Sequence, residues 1–185
     1  MPTRRSRSNL VWIDLETTGL DPDHHVIVEI ATIVTDRNLS VLEEGPDLVI
    51  QQPAEAWENL DPWVTKQHGR SGLADASRAS SVSLAEAEAR TLERVKEHCP
   101  PRLCPLAGNS VCFDRRFLIR HMPKLNAHLH YRNVDVSSIK ELVRRWRPQI
   151  IKEIEKASTH RALDDIRESI QELRRYRRTF FQETA

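Results

Sequence analysis

The first 51 residues carry three runs in which apolar positions crowd too densely for a single helical stripe. Leu10 to Leu15 reads as a strand and is followed by the polar turn "TTGLDPDHH". Val26 to Val34, "VIVEIATIV", is a second run rich in β-branched residues, and Leu39 to Gln51 is a third, interrupted at "EEGP". These predict three strands in meander order. Beyond them the apolar spacing lengthens to the helical period. "LDPWVTKQHG" places Asp61 as a cap and Pro62 at the first helical position, with a stop at Gly69. Ser83 to His98 is helical in spacing and opens on the capping pair Ser83 and Glu86. "PRLCPLAGN" predicts a short strand, "DRRFLIRHM" a helix that runs until Pro123, and "YRNVDVSSIKELVRRW" a further strand and helix. The last helix, from about Thr159 to Phe180, presents Leu163, Ile166, Ile170 and Leu173 as one stripe. Strands first, then strand and helix in alternation, predict an α/β fold with a mixed central sheet flanked by helices.

Composition narrows this picture. At 185 residues and 39% hydrophobic, the chain suits a single domain, expected over residues 9–182 after a flexible basic tail at 1–8. The 28 basic and 27 acidic residues nearly cancel, which excludes capture of bulk polyanion by the overall field and leaves only local basic patches. The clusters at Arg115 and Arg116, Arg144 to Arg147 and Arg174 to Arg178 read as solvated helix faces beside nearby acids. Cys99, Cys104 and Cys112 are odd in number and lack C-x-x-C spacing, and are expected to be buried, reduced thiols. Asp14 breaks the first apolar run too early for a signal peptide, and no stretch approaches the roughly 20 apolar residues of a membrane span. A soluble, cytoplasmic protein with no membrane partner is expected.

The acids change the reading from fold to chemistry. In "VWIDLETTG", Asp14 and Glu16 stand two apart on one strand, so they share a face and repel. No Lys or Arg occurs between Asp14 and Asp36, which makes a bound cation the candidate partner. Asp114 opens a helix, where it serves equally as a partner for the helix dipole. In "HRALDDIRES" the helical wheel puts Asp164 nearly opposite the apolar stripe and Asp165 at its border, so Asp165 is the one expected to face the sheet. Four hard carboxylates suit Mg²⁺ or Mn²⁺ rather than zinc, and their chemical use would be two-metal hydrolysis of a phosphodiester. His160, five residues before Asp165, has a near-neutral pKa suited to taking the proton of the attacking water; taken alone, a histidine at a helix start is more often structural or a simple cap than catalytic.

"DLETTG", "NSVCFD" and "HRALDD" resemble, in order and distance, the three motifs of the DEDDh 3′→5′ exonucleases, which have an RNase H-like fold. "WIDLETTGLDP", "GNSVCFDRRFL", "HYRNVDVSSIKELVRRW" and "THRALDDIRESI" further resemble one narrow branch, the oligoribonucleases, over nearly the whole chain. The resemblance implies that Asp14, Glu16, Asp114 and Asp165 hold two divalent ions and that His160 is the general base. It also implies that Leu20, Trp63 and His68 meet the 3′ bases, and that Ser110, Arg132, Ser137 and Lys140 meet a terminal 5′ phosphate. Tyr131 would reach in from the other subunit of a homodimer. Taken alone, Leu20 and Trp63 are also ordinary core or turn residues, and Arg132 and Lys140 solvated charges. The implied activity is 3′→5′ exoribonuclease on very short single-stranded RNA, down to dinucleotides. A proofreading-type DNA 3′ exonuclease, and a binding module that keeps the fold without the chemistry, are the rival readings.

Overall fold

The computed structural model describes residues 5–153 and 161–181, and among these lie five strands and seven α-helices in one mixed sheet with two helical layers. The meander is β1 (Leu10–Thr17), β2 (Ile27–Thr35) and β3 (Val41–Val49), joined by antiparallel pairs. β4 (Pro105–Gly108) runs parallel to β1, and β5 (His130–Asp135) parallel to β4, so the strand order is β3-β2-β1-β4-β5. β3 runs continuously through "EEGP", where the sequence predicts an interruption, but its register with β2 shifts there, between Glu44 opposite Ile33 and Asp47 opposite Ala31. β3 is the sheet edge, where a proline without an N–H costs no ladder bond.

The helices are α1 (Pro62–Ser71), α2 (Leu73–Ala79), α3 (Leu84–His98), α4 (Cys112–His121), α5 (Pro123–His128), α6 (Val136–Trp146) and α7 (Ala162–Thr179). Asp61 caps α1 by accepting the Trp63 N–H, and Ser83 caps α3 by accepting the Glu86 N–H, as their sequence positions predict. The stop of α1 is displaced. Gly69 lies within the helix, and Gly72, at φ 70°, takes the left-handed position that ends it. α2 and α5 have no counterpart in the apolar pattern because each is under two turns long, too short to show a period. The predicted start of the last helix at Thr159 lies outside the described residues.

Alternation along β1 divides two cores. Val11, Ile13 and Leu15 pack with Ile30, Val34 and Leu106 against Val95, Phe117, Leu118 and Leu125 of α3, α4 and α5. Trp12 packs with Ala31, Ile33 and Ala107 against Val136 and Val143 of α6 and Ala162, Ile166, Ile170, Leu173 and Tyr176 of α7. Asp14 and Glu16 continue the Trp12 face beyond this second core, toward the first turn of α7. Of the cysteines, Cys99 and Cys104 are buried, and Cys112 is exposed at the start of α4, contrary to the expectation of three buried thiols. Ser6 donates its N–H to the His98 carbonyl at 3.0 Å, and Asn9 adds a side-chain bond to the same oxygen at 2.9 Å.

Candidate active site

β1 and β4 are parallel neighbours, but their ladder ends with Trp12 opposite Ala107. Past that point β1 has no strand on the β4 side. Asp114, in the first turn of α4, takes the vacant place: its Oδ1 accepts the Leu15 N–H at 3.0 Å. The chain turns tightly from β4 into α4, and a Cβ on Gly108 would sit 3.3 Å from the Ile13 carbonyl oxygen. Asp165 arrives from the opposite layer on the first turn of α7. Carboxylate oxygens of Asp14, Glu16 and Asp165 all lie within 4.8 Å of one another, with Asp114 beside Asp14.

The electrostatics of this arrangement fit a bound cation. Burial, and then repulsion from Asp114, Glu16 and Asp165, push the Asp14 carboxyl well above the usual range. Burial, and then Glu29, Asp165 and Asp114, push Glu16 up to about 8, against an opposing pull from Arg161. Asp114 rises to about 8 chiefly through burial, although the N–H bonds it accepts, including that of Leu15, work the other way. Oxygen donors this close, in surroundings that disfavour their charge, fit a hard divalent cation. Asp164, by contrast, is bonded to Arg167 at 2.9 Å and nearly half exposed, as the helical wheel predicts.

The turn after β1 is built tightly. A bulge between Glu16 and Thr17 ends the regular register, Thr17 Oγ1 donates to the Gly19 carbonyl at 2.8 Å, and Thr18 Oγ1 accepts the Val26 N–H at 3.0 Å. A Cβ on Gly19 would lie 2.3 Å from the His25 ring, so no larger residue fits here without displacing that ring. The turn leaves Leu20 74% exposed, and Trp63, on the first turn of α1, is 65% exposed. His68 is placed differently from these two. It is buried, its Nε2 donates to the Thr17 carbonyl at 2.8 Å, and its ring meets Trp57 edge-on. It therefore braces the turn that carries Leu20.

On the far side, Ser110 and Ser137 are brought together, with hydroxyls 3.1 Å apart and the Ser110 N–H directed to both Ser137 Oγ and Asp135. Lys140 lies one turn further along α6 and pairs at 3.2 Å with the buried Glu172. Asn109 links these groups, donating to Glu172 and Ser169 and accepting from Ser137. The Arg132 guanidinium lies 5.4 Å from the centre of the Tyr131 ring, and Tyr131 is 77% exposed. His160 lies outside the described residues.

Two charged residues escape the sequence reading. Glu29 lies in the middle of β2, fully buried and directly opposite Glu16, and Arg161 bonds to it from the start of α7. The signal was present: an acid inside "VIVEIATIV" raises the question that Asp14 raises in its own strand. Arg161 is remote in sequence from both, and nothing local announces the pairing.

Comparison with known proteins adds ancestry to this geometry. Residues 11–173 match the RNase_T family model, described as an exonuclease. Oligoribonuclease of Pseudomonas paraeruginosa is 58% identical over 172 residues, covering 93% of this chain and 96% of that protein. Oligoribonuclease of Halorhodospira halophila is 55% identical over 175 residues, covering 95% and 96%. Among solved structures, exonuclease I of Methylocaldum szegediense superposes with a TM-score of 0.70 at 20% identity over 94% of this chain. E. coli exonuclease I in complex with a 5cy-dT13 oligonucleotide gives a TM-score of 0.71 at 17% identity over 95% of this chain. The chain spans about two-fifths of the length of those two proteins (41% and 42%), and the likeness concerns the fold.

Proposed function

The chain belongs to the RNase_T exonuclease family and, within it, to the oligoribonucleases; it is a 3′→5′ exoribonuclease, and we propose that it works on very short RNA, down to dinucleotides, releasing 5′-mononucleotides with two Mg²⁺ or Mn²⁺ ions. The observation that carries this is the meeting of Asp14, Glu16 and Asp165, with Asp114 beside them, at the open end of β1. These four residues would hold the metal. Two divalent ions held there would supply an activated water and charge stabilisation of the leaving oxygen. His160 is assigned the role of taking the water's proton, a task an imidazole can perform.

The chain's own residues account for selection. Leu20 and Trp63 offer exposed apolar surface on which the 3′ bases would stack, a contact that accepts any base and is worth roughly 1 to 3 kcal/mol each. His68 would act through the Thr17 turn. Ser110 and Ser137, with Lys140 and Arg132, would close on a terminal 5′ phosphate through charge-assisted hydrogen bonds. The exposed Tyr131, Leu142 and Trp146 support a homodimer in which Tyr131 reaches the site of the second copy. Among the described residues no helix is long and apolar enough to cross a membrane. The likeness to the oligoribonucleases supports a cytoplasmic location.

The test is cleavage of 5′-phosphorylated RNAs of two to about ten nucleotides with Mn²⁺ or Mg²⁺, repeated with excess chelator. Fastest cutting of the dinucleotide, abolished by chelator, is expected. Equal or better cutting of long strands or of DNA would replace the closed pocket by an open 3′-end groove.

A further inference from the structure

A carboxylate in the middle of a buried strand, fully enclosed and directly opposite Glu16, is an expensive residue, because it adds a like charge to a cluster that already repels. What Glu29 touches shows its use. One carboxylate oxygen, Oε1, accepts from Arg161, with Nε at 2.8 Å, and the other, Oε2, accepts the Ala162 N–H at 3.1 Å. Ala162 is the first residue of α7, and Arg161, at the capping position, offers no side-chain acceptor of its own. The first unsatisfied N–H of that helix is therefore capped from the sheet, by a residue more than 130 positions earlier in the chain.

The grip extends to the site in one step. The carbonyl of Arg161 accepts the N–H of Asp165 at 3.1 Å, closing the turn on which Asp165 sits. Glu29 thus holds both the side chain and the following N–H of the residue that anchors Asp165. Glu16 and Glu29 are neighbours on the same sheet face, so one rigid surface carries two metal-ligand candidates, Asp14 and Glu16, together with the clamp for a third. Arg161 balances the charge of Glu29, and it is also the cation that pulls against the upward shift of Glu16.

We propose that Glu29 and Arg161 form a positioning pair that registers the first turn of α7 on the sheet and so sets Asp165 against Asp14 and Glu16. This rests on Asp165 being a metal ligand. Neither member need touch RNA or metal; they act through the turn they hold, as outer partners orient the ligands of a metal site.

The experiment compares Glu29→Ala, Glu29→Gln, Arg161→Ala and the double variant Glu29→Ala/Arg161→Ala, in the full chain, below the melting temperature of each. Calorimetric titration with Mn²⁺ alone is read beside kcat and KM on a 5′-phosphorylated RNA dinucleotide. Glu29→Ala is expected to weaken Mn²⁺ binding about tenfold and lower kcat by about 30- to 100-fold, with KM changed less than about threefold. Arg161→Ala should lose a similar amount, and the double variant little more than either single one, because the pair acts as a unit. Glu29→Gln keeps an acceptor for the Ala162 N–H and should recover part of kcat. Should Glu29→Ala fail to fold, Arg161→Ala and Glu29→Gln carry the same readouts. Mn²⁺ affinity and kcat within twofold of the parent in the folded variants, or losses that simply add, would overturn the proposal and leave an anchor that serves stability alone. Asp165→Asn separates the two ideas: unchanged Mn²⁺ affinity in that variant would overturn the ligand reading itself.

Discussion

Asp164 and Asp165 differ by one position and by nearly everything that matters to chemistry. Asp165 lies with Asp14 and Glu16, whereas Asp164 is bonded to Arg167 at the surface. Asp165→Asn is expected to lower kcat by about 10³-fold, the rate equivalent of roughly 4 kcal/mol of lost charge stabilisation, while Asp164→Asn should leave kcat within about twofold. Steady-state cleavage of an RNA dinucleotide under saturating Mn²⁺ checks both, and comparable losses would mean that the wheel and the geometry both mislead. This distinction was legible in the sequence, since a helix of known stripe fixes which side of each residue faces the sheet. Glu29 was not, although it stands in as plain a strand as Asp14. Its meaning depends on Glu16 lying opposite and on Arg161 arriving from the far end of the chain, and neither is a local property.

At the scale of elements, caps were readable where side chains do the capping and misplaced where the backbone does. Asp61 and Ser83 accept N–H groups two and three residues ahead, a spacing written directly in the sequence. Gly69 and Gly72 look alike in one-letter code, but only Gly72 has the positive φ, and neither would have a neighbour within 4 Å of an added Cβ. Gly69→Ala should therefore stabilise the protein by about 0.5–1 kcal/mol, and Gly72→Ala destabilise it by about 1–2 kcal/mol. Urea unfolding distinguishes them by the opposite shifts of their midpoints, and shifts of the same sign would show that the end of α1 is placed wrongly. α7 follows a third pattern, in which its N-terminus is capped by Glu29 from another strand, so nothing near residue 161 announces where the helix begins.

For the whole molecule, the buried acids tie stability to metal and pH. Glu16 and Asp114 have folded-state values of about 8 against ordinary values of 4.5 and 3.8, so the folded chain binds their protons more tightly than the unfolded one. That contribution is complete below about pH 4 and is lost as pH rises through about 8. In chelator, Tm should accordingly fall between pH 5 and 8, and the fall should be smaller in Glu16→Gln. Mn²⁺ at about 100 times its Kd should add about 2.7 kcal/mol, or some 5–10 °C, at pH 8. Melting curves across that range test this, and a slope identical in the parent and Glu16→Gln would sink it. By itself the sequence determined the order of the five strands and of the five longer helices, the meander, the single α/β domain and four acids suited to a divalent cation. Periodicity and capping act over a few residues, and the three motifs keep their meaning at any distance. Tertiary structure alone decided that β1 outruns β4 and leaves its Leu15 N–H for Asp114, that His68 is buried beneath the Thr17 turn, and that Glu29 and Arg161 join two ends of the chain. Those outcomes follow from register and packing between segments far apart in sequence, which apolar period and local propensity do not encode.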